Sequence, residues 1–135
     1  MKYELNKYAL LSDAIAGSHN DIDSAAGMAR SRYITTVAGQ EATYLSKAAD
    51  ADRYKAAGYP ADTSSYPWVE SEMSATGMTA QQSTDGIIVQ RDAWNTLGAI
   101  IESERIKGKI SVSQAVTISE AVQQANITIS NLNSL

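Results

Sequence analysis

The chain has 135 residues, 44% of them hydrophobic, which is enough to build a core and too apolar for a disordered chain. Only 7% is aromatic, with seven Tyr, two Trp and no Phe, so that core rests on Ala, Ile, Val and Leu and is thin for a monomer of this size. The net charge of −4 excludes a general binder of nucleic acid or anionic membrane, and the lack of cysteine excludes disulfides, thiol nucleophiles and cysteine metal sites.

At the N-terminus, Leu10-Leu11 and Ala14-Ile15-Ala16 imitate a leader, but Glu4, Lys7 and Asp13 interrupt it. The segment is therefore not expected to be a signal peptide, and no apolar run is long enough to span a membrane. Ile22, Ala26, Ala29, Tyr33 and Val37 then fall on one face of a helix expected over 20–36, with Asn20 or Asp21 as its cap and Asp23 in its first turn. Thr35-Thr-Val-Ala-Gly39 is β-branched and ends in Gly, which predicts a kink or break. Helix resumes over 40–57 with Tyr44, Leu45, Ala48, Ala51 and Tyr54, so that 20–57 reads as a helical hairpin or one kinked helix. Gly58 stops it with a left-handed cap, and Pro60 forbids its continuation.

Residues 58–68 form a Pro/Tyr loop. Pro67 suits the first turn of a short helix carrying Trp68, Val69 and Met73 and ended by Gly77. Thr79 and Gln82 make a capping box for a helix whose buried stripe is Ile87, Trp94, Leu97 and Ile101. Gly86 and Gly98 weaken that helix by about 1 kcal/mol each, for which close approach of another helix is a physical reason.

Ala115, Ile118, Val122, Ala125, Ile129 and Leu132 recur at heptad spacing and mark a C-terminal helix over 117–132. Thr117-Ile-Ser-Glu120 is a second capping box and favours a new helix there over a break at Gly108. An edge strand over Asn126 to Ser130 is the competing reading. Residues 110–135 hold one charge, Glu120, with Ser, Thr, Gln and Asn in place of the rest. Such a helix suits packing against other chains, and the six seam residues are the expected oligomer interface. Ala, Ile and Val mixed along it favour a homo-trimer. The expected fold class is all-α: an elongated helical bundle or helical hairpins with a coiled-coil-like C-terminal segment, within one helical domain over 1–135 that also includes helices over 69–115.

Chemistry finds little footing. His19, the single histidine, lies in His-Asn-Asp-Ile-Asp23, which lacks the Gly and Glu of a calcium loop. No Gly-x-Ser-x-Gly elbow or phosphate loop occurs. Glu70/Glu72 and Glu102/Glu104 are two residues apart and point to different helix faces, whereas Glu102 and Arg105 share one and predict a surface ion pair. No catalytic residue, metal ligand or cofactor is expected. Arg30 and Arg32 beside Tyr33 are too few for nucleic acid. Asn126-Ile-Thr128 matches a glycosylation acceptor, which carries little weight without a leader. Tyr59, Tyr66 and Trp68 either pin the loop onto the bundle or form a docking surface for another protein.

Ala29-Arg-Ser-Arg-Tyr-Ile-Thr35, Gly39-Gln-Glu-Ala-Thr-Tyr-Leu-Ser-Lys-Ala-Ala-Asp-Ala-Asp-Arg-Tyr54 and Tyr66-Pro67 precede Trp94-Asn-Thr-Leu-Gly-Ala-Ile-Ile-Glu-Ser-Glu-Arg-Ile-Lys-Gly-Lys109. Their order and spacing, over about residues 25 to 125, resemble a helical module of bacteriophage tail-fibre and other tail-associated proteins. The resemblance implies a non-enzymatic structural role in the virion, reached through the host cytoplasm, with other tail or virion proteins as partners. The alternative is a small acidic phage or bacterial regulator that binds a host protein. It needs a concentrated acidic face, yet residues 1–67 carry eight acids and seven bases and residues 68–135 seven and four.

Overall fold

A computed structural model describes residues 8–34 and 40–135. The described residues are all-helical, with no strand: α1 (Leu11–Ser31), α2 (Gln40–Ala56), α3 (Pro67–Thr76), α4 (Ala80–Ser113) and α5 (Ile118–Asn133). Contacts divide the chain into two compact units. The first unit comprises α1, α4 from Leu97 onward and α5; the second comprises α2, α3 and α4 up to Thr96. The expected break at Thr35–Gly39, and Val37 of the first helical face, lie outside the described residues. No described helix is long and apolar enough to cross a membrane.

In the first unit, α1 begins at Leu11, nine residues before the position expected from Asn20 and Asp21. The reason is a stripe of small side chains that extends backwards from Ile22. Ala14, Ser18, Ile22, Ala25, Ala26 and Ala29 are all buried, and this face outweighs the capping preference of the polar run in mid-helix. It packs along α5 and meets Ile101 and Val112 of α4 and Ala115, Ala121, Ala125 and Leu132. Alanines let the helices approach closely, and Gly108 of α4 lets them approach further: a Cβ there would collide with the Thr128 side chain of α5. Gly86, by contrast, has open space around it, so close approach does not account for that glycine.

The turn between α4 and α5 is set by the second capping box. Thr117 Oγ1 accepts from Glu120 N at 3.1 Å, while a Glu120 carboxylate oxygen accepts from Val116 N at 2.9 Å. The break therefore falls at residue 117, Gly108 is helical, and Asn126 to Ser130 is helix rather than edge strand. At the far end, Arg32 donates to the carbonyl of Leu132 at 2.8 Å and ties the end of α1 to the last turn of α5.

In the second unit, Ala51 and Tyr54 of α2, Val69 of α3 and Ile87 of α4 form the core. α3 starts with Pro67 at its first position, but Tyr66 supplies no side-chain cap. The cap comes from α2 instead. A buried Asp50 oxygen accepts from Trp68 N at 2.8 Å and Val69 N at 2.9 Å, and Arg53 donates to the other oxygen. Gly77 ends α3 at φ 74°, as its sequence position predicts. The Thr79–Gln82 box forms in both directions at 3.1 Å. Ser83 Oγ and Thr84 Oγ1 are buried on the inner face of α4 without a hydrogen-bond partner among the described residues.

Candidate interaction surface

The heptad seam packs within the chain. Ala115, Val122, Ala125 and Leu132 are buried, and Ile118 and Ile129 are partly buried against the same cluster. Within the single chain these six residues therefore line its own core rather than an open face of α5. An aliphatic ridge is covered by the nearest complementary face, and α1 supplies one from the same polypeptide. What α5 turns outward is Gln123, Asn126, Ile127, Ser130 and Asn131, an uncharged face with Ile127 half exposed.

The aromatic residues around the prolines divide in the same way. The Tyr54 ring meets Tyr59 and Tyr66 edge-on, with centroids 5.7 and 5.0 Å away. Tyr59 donates to Asp85 at 2.6 Å, and the Arg53 guanidinium lies over the Tyr66 ring at 5.5 Å. Tyr59 sits at a positive φ of 56°, a conformation that side chains rarely adopt, and these contacts hold it there. Tyr59 and Tyr66 thus fasten the loop to its own unit, and of the proposed docking trio Trp68 is the most open to solvent, at 38%.

A chain of ion pairs joins α1 to α4. Arg30 donates to Glu102 at 3.0 Å, Arg105 donates to Glu102 through two nitrogens and to Asp23 at 2.9 Å, and Lys109 donates to both Asp23 oxygens. Burial raises the Asp23 carboxyl, but hydrogen bonds and charge from Lys109 and Arg105 outweigh it and hold the group below its ordinary range. The hydrogen bond from Arg105 holds Glu102 low as well, and Glu102 and Asp23 together push Arg105 up. The predicted Glu102–Arg105 pair is present, while Arg30 and Arg32 are both taken up by contacts inside the chain.

His19 Nε2 lies 3.0 Å from Ser113 Oγ and 3.1 Å from the Lys109 carbonyl. The carboxylate one turn along, Asp23, faces Lys109 and Arg105. Ser113 is exposed at the end of α4, and the contact fastens α1 to α4. No group of three His, Asp or Glu side chains suited to a metal ion forms among the described residues. The groove bounded by Pro67, Glu70, Met73 and Met78 is an open surface feature.

One apolar surface escapes the periodicity that marks the seam. On the second half of α4, Ile101, Gly108 and Val112 face inward, while Ala99, Ser103, Ile106 and Ile110 are exposed on the opposite side. Ile106 is 46% and Ile110 52% accessible, and Ile100 beside them is 42%. The signal is the 4-3-4 spacing of these four residues, which runs out of phase with Ile101 and is masked by it.

No family model, curated protein or solved structure matches this chain.

Proposed function

We propose that this chain is a non-enzymatic structural protein of a bacteriophage virion, associated with the tail or its fibres, that assembles through helix packing. The observation that carries the assembly part is the exposed aliphatic stripe on α4. An acidic chain that leaves Ile100, Ile106 and Ile110 half open to water has a surface that association would cover. The virion part draws on the resemblance of residues 25 to 125 to tail-associated helical modules. The polar side chains support a structural reading too, because Asp23, Asp50, Glu72, Glu102 and His19 all join elements of the chain. This also weakens the reading as an acidic regulator, whose carboxylates would need to face a partner.

Because the heptad seam packs on α1 within the chain, a homo-trimer or other elongated assembly is expected to draw on outward faces. Mass spectrometry and immunogold labelling of purified virions test the proposal. The chain is expected at a fixed copy number in tail fractions. Its absence from washed particles, with abundance in the host lysate, would overturn it.

A further inference from the structure

We infer that α4 carries a hinge at residues 95–99, a segment that opens and re-forms while the helix on either side of it stays folded. The hinge lies within one chain and is independent of the virion reading. The boundary between the two compact units falls between Thr96 and Leu97, inside this 34-residue helix, so its two halves belong to different cores. On one side Ser83, Thr84 and Ile87 are buried, and Arg91 pairs with Asp52 of α2. On the other side burial resumes at Ile101, and Glu102 pairs with Arg30 of α1. From residue 88 to residue 100 none is buried: Trp94, Leu97 and Gly98 are partly covered, while Asn95, Thr96, Ala99 and Ile100 are exposed.

Most of the stability of a helix in a protein comes from packing one face against a core. Where that packing is thin, the helix depends on the intrinsic preferences of its residues, and here they are poor. Asn95, Thr96 and Gly98 are three weak helix formers within four positions, and Gly98 is the weakest of them. Thr96 also turns its hydroxyl back to the carbonyl of Asp92 at 3.2 Å, a local bond that competes with the backbone ladder and bends helices. A stretch with few buried contacts and exposed backbone hydrogen bonds opens more readily than the cores beside it. Since each end of α4 is gripped by a different core, a break in the middle uncouples the two units and unfolds neither.

Hydrogen exchange read by mass spectrometry on the full chain tests this. Under native conditions, amides of residues 95–100 are expected to exchange at least about tenfold faster than those of 83–88 and of 103–112. Gly98→Ala should slow exchange over 95–100 about fivefold. The Asn95→Ala, Thr96→Ala double variant, which changes exposed side chains and so spares both cores, should slow it by a similar factor.

Gly86→Ala separates local opening from the unfolding of a whole unit. It raises helix preference on the same helix, at a position with open space around it, and should leave exchange over 95–100 unchanged. Protection that is uniform along α4 would overturn the hinge. So would a slowing by Gly86→Ala as large as that by Gly98→Ala, because exchange at 95–100 would then proceed through loss of the second unit.

Discussion

Gly108 of α4 sits directly under the side chain of Thr128 of α5, so closely that a Cβ on the glycine would overlap Thr128 Cβ, Oγ1 and Cγ2. A helix interior ordinarily gains about 1 kcal/mol from Gly→Ala. At Gly108 the gain is outweighed, because the obstructing atoms belong to a β-branched side chain with little freedom to yield. Gly108→Ala is expected to lower stability by about 1–3 kcal/mol in urea denaturation. Gly86→Ala, into open space on the same helix, should raise it by up to about 1 kcal/mol. Thr128→Ala should recover most of the Gly108→Ala loss when combined with it, since the cost lies in that one contact.

Asp50 holds α3 in place from a neighbouring helix. A ten-residue helix is marginal by itself, and α3 begins without a side-chain cap of its own. Asp50→Ala would strip the Trp68 and Val69 amides of their acceptor and leave Arg53 without its carboxylate, at a cost of about 3 kcal/mol. Asp50→Asn should cost less, because its amide oxygen can still accept from both backbone N–H groups. Hydrogen exchange gives the specific readout: amides of α3 should lose protection in Asp50→Ala while those of α5 keep theirs.

These features differ in how far sequence alone reveals them. The Thr79–Gln82 and Thr117–Glu120 boxes are legible because donor and acceptor lie three residues apart. The Asp50 cap is not, since its partners are 18 and 19 residues away and Asp50 looks like one more helical carboxylate. The C-terminal seam is legible as a ridge that must be buried, but periodicity does not say what buries it. Here the answer is α1, whose stripe is legible from Ile22 onward but not before it, because its earlier members, Ala14 and Ser18, are small and precede the polar run that imitates a cap. On α4 the inner and outer stripes overlap in sequence, and the more apolar one masks the other.

Ser83 and Thr84 offer a test of the second unit. Their hydroxyls are buried and have no partner among the described residues, so each gives up hydration without return. Thr84→Val keeps the shape of the side chain and removes the polar atom. It should stabilise the protein by about 1 kcal/mol, as should Ser83→Ala by a smaller amount. Both are read from the denaturation midpoint at constant m-value. A loss of stability in Thr84→Val would mean that the hydroxyl has a partner after all.

The ion pairs between α1 and α4 make stability sensitive to acid. Asp23 and Glu102 are both held below their ordinary values of 3.8 and 4.5, so the folded chain binds their protons less readily than the unfolded chain does. Their contribution is complete above those ordinary values and fades as pH falls through the lower folded ones. The melting temperature should therefore be flat from neutral pH to about pH 5 and fall below it. Because both carboxylates are well exposed, the effect is modest and weakens in salt. An Asp23→Asn, Glu102→Gln double variant should begin lower at neutral pH and lose less on acidification. If its acid limb is as steep as that of the parent chain, other carboxylates govern the transition.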